Sequence, residues 1–212
     1  MERDLLIRRL EAAEIGRLEP LWRSLLDHIR VMGTVVPVRR HEESWPKRRA
    51  LYQLWLAEGD SFLLGAFRDN ELVGYAMVHV ADADPVWVTG ERYTELMSLS
   101  VAPHERGHGV GTALLDDVEA RLLAQGIDEL VIGVDTPNTT ARRFYEARGF
   151  KVGYHLMHGR LGAPGRPAAG RDVAERDVAE GDAAERDAAA PSPSERSDRQ
   201  AGSPETAAHG DD

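Results

Sequence analysis

Beyond residue 160 the chain cannot build a core. Residues 161–212 contain no Phe, Trp or Tyr and consist almost wholly of Ala, Gly, Pro, Arg, Asp, Glu and Ser. Such a composition buries too little apolar surface to offset the entropy of ordering. An imperfect five-residue repeat begins at Arg171 (RDVAE, RDVAE, GDAAE, RDAAA). Each repeat advances about 140° around a helix, so even a transient helix has no continuous apolar face. This stretch carries 6 Arg against 12 acidic groups, whereas residues 1–160 carry 20 basic and 24 acidic groups. A folded domain over residues 1–160 followed by a disordered acidic tail over residues 161–212 is expected. A docking segment for a partner is the alternative reading of the tail.

The overall balance narrows the function classes. A formal net charge of −10 gives no reason to expect nucleic-acid binding. No apolar stretch approaches 18 residues, so no membrane span is expected. The first residues, MERDLLIRRLEAAE, have no apolar signal-peptide centre, and a cytoplasmic monomer or homodimer is the expected state. Zero cysteines exclude disulfides, thiolate metal ligands and an acyl-cysteine intermediate.

Within residues 1–160 the periodicities alternate. Residues 4–9 read as a strand and residues 11–30 as an amphipathic helix with Ile15, Leu18, Trp22, Leu25, Leu26 and Ile29 on one side. A second helix is expected over residues 43–57, closed by Gly59. Strands over residues 61–67 and 72–80 are joined through Asp69-Asn70, a pair that tolerates positive φ in a tight hairpin. A further strand covers residues 93–101, after an irregular stretch at residues 82–90. A helix over residues 109–125, a strand over 129–135, a helix over 139–148 and a last strand over 150–158 follow. The order is β-α-α-β-β-β-α-β-α-β, an α/β chain with a mixed, mostly antiparallel sheet covered by helices on both faces.

The segment from Leu99 to Thr112 (LSVAPHERGHGVGT) carries the most chemistry. A strand passes through three alternate glycines into a helix whose apolar positions Val110, Ala113, Leu114, Val118 and Leu122 recur at helical spacing. Gly107, Gly109 and Gly111 let main-chain N–H groups approach a ligand at the positive end of that helix, and Arg106 adds a full charge, which together make an anion site. A Gly-rich link between strand and helix is the plain alternative. The segment lacks the Gly-Lys-Ser/Thr ending of a nucleotide-triphosphate loop and the spacing of the dinucleotide fingerprint. About thirty residues on, Asn138-Thr-Thr-Ala141-Arg-Arg-Phe144-Tyr145-Glu-Ala-Arg-Gly149-Phe150 reads as a capped helix stopped by glycine.

Taken together, the two segments resemble the GNAT (GCN5-related) N-acetyltransferase superfamily. Arg106-Gly107-His108-Gly109-Val110-Gly111 is similar to its R/Q-x-x-G-x-G/A acyl-CoA pyrophosphate loop, and the second segment to its N-x-x-A-x-x-F-Y-x-x-x-G-F helix. The resemblance covers roughly residues 4–158, with no diagnostic motif in the N-terminal half. It implies the acyl-CoA N-acyltransferase fold, with acetyl-CoA as co-substrate, no metal, and an amine acceptor. Residues Arg106, Gly107, His108, Gly109, Val110, Gly111 and Thr112 would then hold the diphosphate. Leu99, Ser100 and Val101 would line the pantetheine arm between two splayed strands, and Asn138, Ala141 and Phe144 would complete the cofactor site. Tyr145 matches the position whose hydroxyl protonates the departing thiolate, a role that suits a phenol neutral at pH 7; a Tyr packing beside Phe144 is the alternative.

The general base is less marked. Glu95 lies six residues before Val101, where one branch of the family resembled places a basic glutamate; an exposed strand residue beside Arg92 is the other reading. A second branch uses a glutamate at the position that is Gly133 here. His104-Glu105-Arg-Gly-His108 also fits the H-E-x-x-H zinc pattern. That pattern needs a continuous helix, which Pro103 and glycines at 107, 109 and 111 oppose by about 1 kcal/mol per glycine, and Leu114 stands where a third histidine would fall. The acceptor stays open among polyamine, aminoglycoside-like amine, amino acid and protein amine. Trp45, Tyr52, Trp55, Trp87 and Tyr93 suit core as well as a ligand platform, and Glu42, Glu43, Asp82 and Asp84 suit a solvated surface as well as attraction of a cation. A non-catalytic acyl-CoA-binding regulatory module is the alternative function. Deleting residues 163–212 is expected to leave folding and acetyl-CoA affinity nearly unchanged, because a solvated tail removes no core contact. Thermal melts and acetyl-CoA titration of the truncated and full chains check this, and a large loss of stability would show that the tail docks.

Overall fold

Between Phe62 and Asp82 a long apolar run is broken once, at Asp69-Asn70. In the computed structural model, which describes residues 4–83 and 90–159, that break is a two-residue loop with both residues at positive φ, 49° and 66°. This is the backbone that matches strand twist in a tight hairpin. It joins β2 (Phe62–Arg68) to β3 (Glu71–Asp82). β1 (Leu5–Arg9) pairs antiparallel with β2, and β4 (Arg92–Val101) antiparallel with β3. β5 (Val131–Ile132) lies parallel to β4, which requires a crossover, supplied by helix α3 (Val110–Ala124). The sheet order is β1-β2-β3-β4-β5.

Both faces of the central strands are covered, so β2 is buried almost throughout instead of alternating. On one face Leu63, Phe67, Tyr75 and Met77 meet Leu21, Trp22 and Leu26 of α1 (Glu19–Met32) and Trp45, Tyr52 and Trp55 of α2 (His41–Ala57). On the other, Leu64, Ala66, Val78 and Leu96 meet Leu114, Leu115, Val118 and Leu122 of α3 and Tyr145 of α4 (Thr139–Glu146). The mixed α/β sheet with helices on both faces is thus observed.

Three elements differ from the sequence expectation. The first helix is divided into a 3-10 segment, Ala12–Leu18, and α1, which starts with Pro20 in its first turn. Proline has no N–H and its ring crowds the carbonyl four residues back, so Pro20 fits the first turn of α1, where no intrahelical bond is lost, better than the middle of one long helix. By contrast, α2 carries Pro46 inside it. The strand expected over residues 129–135 shrinks to two residues. Residues 151–159, expected to begin a strand at Phe150, form no strand and are exposed, with Val152 at 63% and Tyr154 at 74%. Their alternation supplies β propensity, but a strand also needs an edge to pair with. The compact unit spans Met1–His158. Gly159–Asp212 is a second unit, lying beyond its first residue outside the described residues, as do the expected tail, Asp84 and Trp87. Among the described residues no helix is long and apolar enough to cross a membrane.

The seating of α3 depends on a missing side chain. Gly74 of β3 pairs with Val101, the last residue of β4. A Cβ built there would meet Val110 Cγ1 at 3.0 Å, Leu114 Cδ1 at 3.1 Å and the Ser100 carbonyl oxygen at 3.1 Å. The helix therefore lies directly on the strand, and its first residues stand beside the end of β4. Gly74→Ala should push α3 off the sheet and cost about 1–3 kcal/mol of stability, read as a lower denaturation midpoint at unchanged slope.

Candidate functional site

After Val101 the backbone makes one 3-10 turn, Pro103–Glu105, and Arg106 is extended at φ −69° and ψ 143°. Gly107 and Gly109 both have φ +78°, and a Cβ on either would meet nothing within 4 Å. Gly109 caps α3 in the left-handed conformation, and the first intrahelical bond runs from the Ala113 N–H to the Gly109 carbonyl at 2.9 Å. The N–H groups of Val110, Gly111 and Thr112 therefore have no acceptor inside their own helix. An open, glycine-bare loop ending on the positive pole of a 15-residue helix fits an anionic group. The conformation also disposes of the zinc pattern: an extended Arg106 and a left-handed Gly107 separate the two histidines, so they cannot share a helical face.

Charge around this loop is arranged so that its own acid does not oppose an anion. Glu105 is 7% exposed and turned inward to Arg68 of β2, with Nε and Oε2 3.1 Å apart. That contact is off the hydrogen-bond direction and is ionic in character. Arg106 lies on the surface, its Nε donating to the Val101 carbonyl at 3.2 Å and Nη2 to Ser24 Oγ of α1 at 3.3 Å. His108 is exposed, and its N–H donates to the Glu105 carbonyl at 3.4 Å.

Beside the loop, β4 and β5 diverge. They pair only at Glu95 with Val131 and Leu96 with Ile132, while β4 continues to Val101. Along residues 97–101 the β5 side of β4 has no strand partner among the described residues. A bulge falls at Met97: Leu96 pairs with Val78 and Ser98 with Met77, leaving Met97 as the extra residue. The bulge resets the faces. Ser98 Oγ accepts from Tyr52 Oη at 2.7 Å and Ser100 Oγ donates to the Leu21 carbonyl at 3.0 Å, both on the α1/α2 side. Leu99 and Val101 turn to the α3 side. Ser100 thus has its hydroxyl engaged in the core, leaving its backbone for any ligand in the gap.

The second motif closes this gap from the far side. Asn138 caps α4 as expected, its side chain accepting from the Ala141 N–H at 3.1 Å, and Gly149 follows the helix at φ +91°. Arg148 ties this end to α3 through two bonds to Glu119, at 2.9 and 3.3 Å. Leu99, Val101, Val110, Ala141, Phe144 and Tyr145 all join one apolar cluster. Tyr145 packs edge-on to Phe144 at 5.1 Å and Phe150 at 6.0 Å. Its hydroxyl has no hydrogen-bond partner among the described residues, and burial pushes the phenol up to about 12, so it holds its proton at neutral pH.

Glu95 sits at the point of divergence on the opposite, α2-facing side. Its Oε2 accepts from Tyr93 Oη at 3.0 Å. Its Oε1 lies 3.9 Å from the place a Cβ on Gly133 would take, beside the residue that follows β5. Burial and this bond to Glu95 push the Tyr93 phenol up to about 12. Trp45, Tyr52 and Trp55 are core residues, whereas Glu42, Glu43 and Asp82 are exposed. A separate shallow depression of about 300 Å³, lined by Leu122, Ile127, Leu130, Arg148 and Phe150 among others, contains none of the candidate residues. Sequence reading missed Tyr93 as the partner of Glu95 and His79 as its cross-strand neighbour. The first pair is visible as an i, i+2 spacing on one strand face; the second exists only once the register is set.

Comparison with known proteins agrees with this geometry. Residues 26–150 match the model of the Acetyltransferase (GNAT) family. A mycothiol acetyltransferase of Thermobispora bispora is 32% identical over 152 residues, covering 67% of this chain and 46% of that protein. The chain spans about half the length of the curated relatives it matches. Among solved structures, a GCN5-related N-acetyltransferase from Ralstonia eutropha superposes with a TM-score of 0.61 at 17% identity, over 75% of this chain and 100% of that one. An acetyltransferase from Clostridium acetobutylicum with acetyl-CoA gives 0.59 at 18% identity, over 74% and 97%. At such identities the likeness is one of fold. The family match, by contrast, takes in β4, the glycine loop, α3 and α4, and by it the chain belongs to the GNAT acetyltransferase family.

Proposed function

We propose that this chain is an acetyl-CoA-dependent N-acetyltransferase, carried by residues 1–160, that passes the acetyl group directly to a primary amine. The observation that carries the reading is the pairing of an open glycine loop at the α3 N-terminus with a gap between β4 and β5 that starts beside it. Acetyl-CoA supplies the activated thioester. The N–H groups from Gly107 to Thr112, with Arg106, hold the diphosphate by charge-assisted hydrogen bonds. The free edge of β4 at Leu99 and Val101, with Ser100 between them, orients the arm by main-chain contacts, and Asn138, Ala141 and Phe144 form the opposite wall. Orientation of this kind supplies much of the rate in a two-substrate reaction.

Proton movement falls to two residues on opposite sides of the gap. Glu95 takes a proton from the acceptor ammonium through Oε1, the oxygen that Tyr93 leaves open, and so frees the nitrogen lone pair. The new C–N bond forms as the C–S bond breaks, and Tyr145 donates its hydroxyl proton to the departing sulfur. With no cysteine, and no serine beside a recognisable His/Asp pair, a covalent acyl-enzyme has no evident carrier. The chain's likeness to mycothiol acetyltransferases supports a small-molecule amine as acceptor.

Gly109→Val should weaken acetyl-CoA binding about tenfold or more, by strain at positive φ and by blocking the close approach of the backbone. Arg106→Glu should do the same by placing like charge at the diphosphate; calorimetric titration checks both, and unchanged affinity in both removes the anion-site argument. Tyr145→Phe keeps the packed ring and removes only the hydroxyl. It should lower kcat by about 10²–10⁴ with acetyl-CoA affinity nearly unchanged. Initial-rate plots against acetyl-CoA at several fixed amine concentrations should intersect, whereas parallel lines would reveal an acyl-enzyme. An amine panel of spermidine, kanamycin, alanine amide and a lysine peptide finds the acceptor class, and a chain that consumes no thioester with any amine would be a binding module.

A further inference from the structure

Glu95 is half-buried, and a base in that position must pass each proton on before the next turnover. On the α2-facing side of the sheet one imidazole stands ready to take it. His79 of β3 is the direct cross-strand partner of Glu95, which puts the two Cβ atoms about 5 Å apart on one face. The bulge at Met97 creates this match, because it shifts the register between Met77 and Val78. The ring of His79 lies against Trp55 of α2, with centroids 4.7 Å apart and planes 30° from parallel. Its Nε2 is 3.4 Å from Oε2 of Glu58, the residue at the C-terminal end of α2. The His79 side chain is 20% exposed and that of Glu58 49%, so the row runs from Glu95 outward to solvent.

We propose that His79 relays the acceptor's proton from Glu95 to solvent, with Glu58 as the exit; this rests on the reading of Glu95 as the base. The N–H bond of the ammonium breaks and an O–H bond forms on Glu95 Oε1. That proton crosses one bridging water to the free ring nitrogen of neutral His79. The proton already on Nε2 leaves for the Glu58 carboxylate and then bulk water. One proton passes from amine to water and no electron is transferred. Glu95 and Glu58 return to their starting state, and His79, left with its proton on the other ring nitrogen, regains the Nε2 tautomer by giving that proton to water and taking one from water at Nε2. Trp55 fixes the ring plane, and Tyr93, by holding Oε2, keeps Oε1 on the side of the gap.

The test uses the full chain, acetyl-CoA and the best acceptor from the amine panel. His79→Ala should lower kcat about tenfold or more while KM for acetyl-CoA stays unchanged. Free imidazole should restore the rate in proportion to its concentration, entering the space the ring vacated. Pyrazole, the same size but a far weaker base, should not. His79→Phe, which keeps an aromatic ring against Trp55, should be as slow as His79→Ala and melt near the parent temperature, which separates proton transfer from packing. Equal rescue by pyrazole, or a fully active His79→Phe chain, overturns the relay. Glu95→Gln separates the two readings. An inactive Glu95→Gln chain beside a fully active His79→Ala chain removes the relay and leaves the base. A fully active Glu95→Gln chain removes the base and the relay with it.

Discussion

The close approach of α3 to β3 is the constraint on which the site depends. A helix normally stands about 10 Å from a sheet, held off by side chains on both. At Gly74 one of those side chains is absent, and Val110 and Leu114 settle onto the strand in the space it would have taken. Because Gly74 pairs with Val101, the contact fixes the start of α3 against the end of β4. The eight residues between are then too few to wander, and the left-handed glycines at 107 and 109 let the chain turn sharply enough to enter the helix. Remove that contact and the N–H groups would still exist, but they would not face the gap where β4 leaves β5.

Electrostatics reinforce the same geometry. A free carboxylate in the loop would repel an anion there, and Glu105 is in the loop. Its burial against Arg68 cancels that charge and at the same time ties the loop to the β2–β3 hairpin. Removing one partner of such a pair leaves an uncompensated charge inside, which typically costs about 3–5 kcal/mol. The acid therefore serves the loop through its contact with the hairpin.

Much of this was legible in the sequence where the physics is local. The hairpin at Asp69-Asn70, the cap at Asn138, the stop at Gly149 and the strand-loop-helix around Gly109 each follow from a residue's own backbone preference or hydrogen-bonding reach. What escaped depends on partners. Pro20, at the start of α1, is the exception, a local signal that the apolar pattern passes straight over because periodicity reports only the buried face. The strand at residues 129–135 keeps only two paired residues, and residues 151–159 keep none, because alternation states a propensity and says nothing of an available edge. The bulge at Met97 has no signature at all in the one-dimensional pattern. Yet it decides that Ser98 and Ser100 face one layer, Leu99 and Val101 the other, and that His79 meets Glu95.

The sheet divides the interior into two clusters that share strands but not side chains, Leu63 and Met77 serving one and Leu64 and Val78 the other. Substitutions that share no partner usually add in their effects on stability, while neighbours couple. The layer beneath α1 and α2, on whose side Glu95 lies, therefore answers to substitution largely apart from the layer beneath α3 and α4, which carries Tyr145, and the two are tied where Ser24 and Leu21 of α1 accept from Arg106 and Ser100. Such a partition is modular: a change packed into one layer is felt in the other only through the few bonds that cross between them.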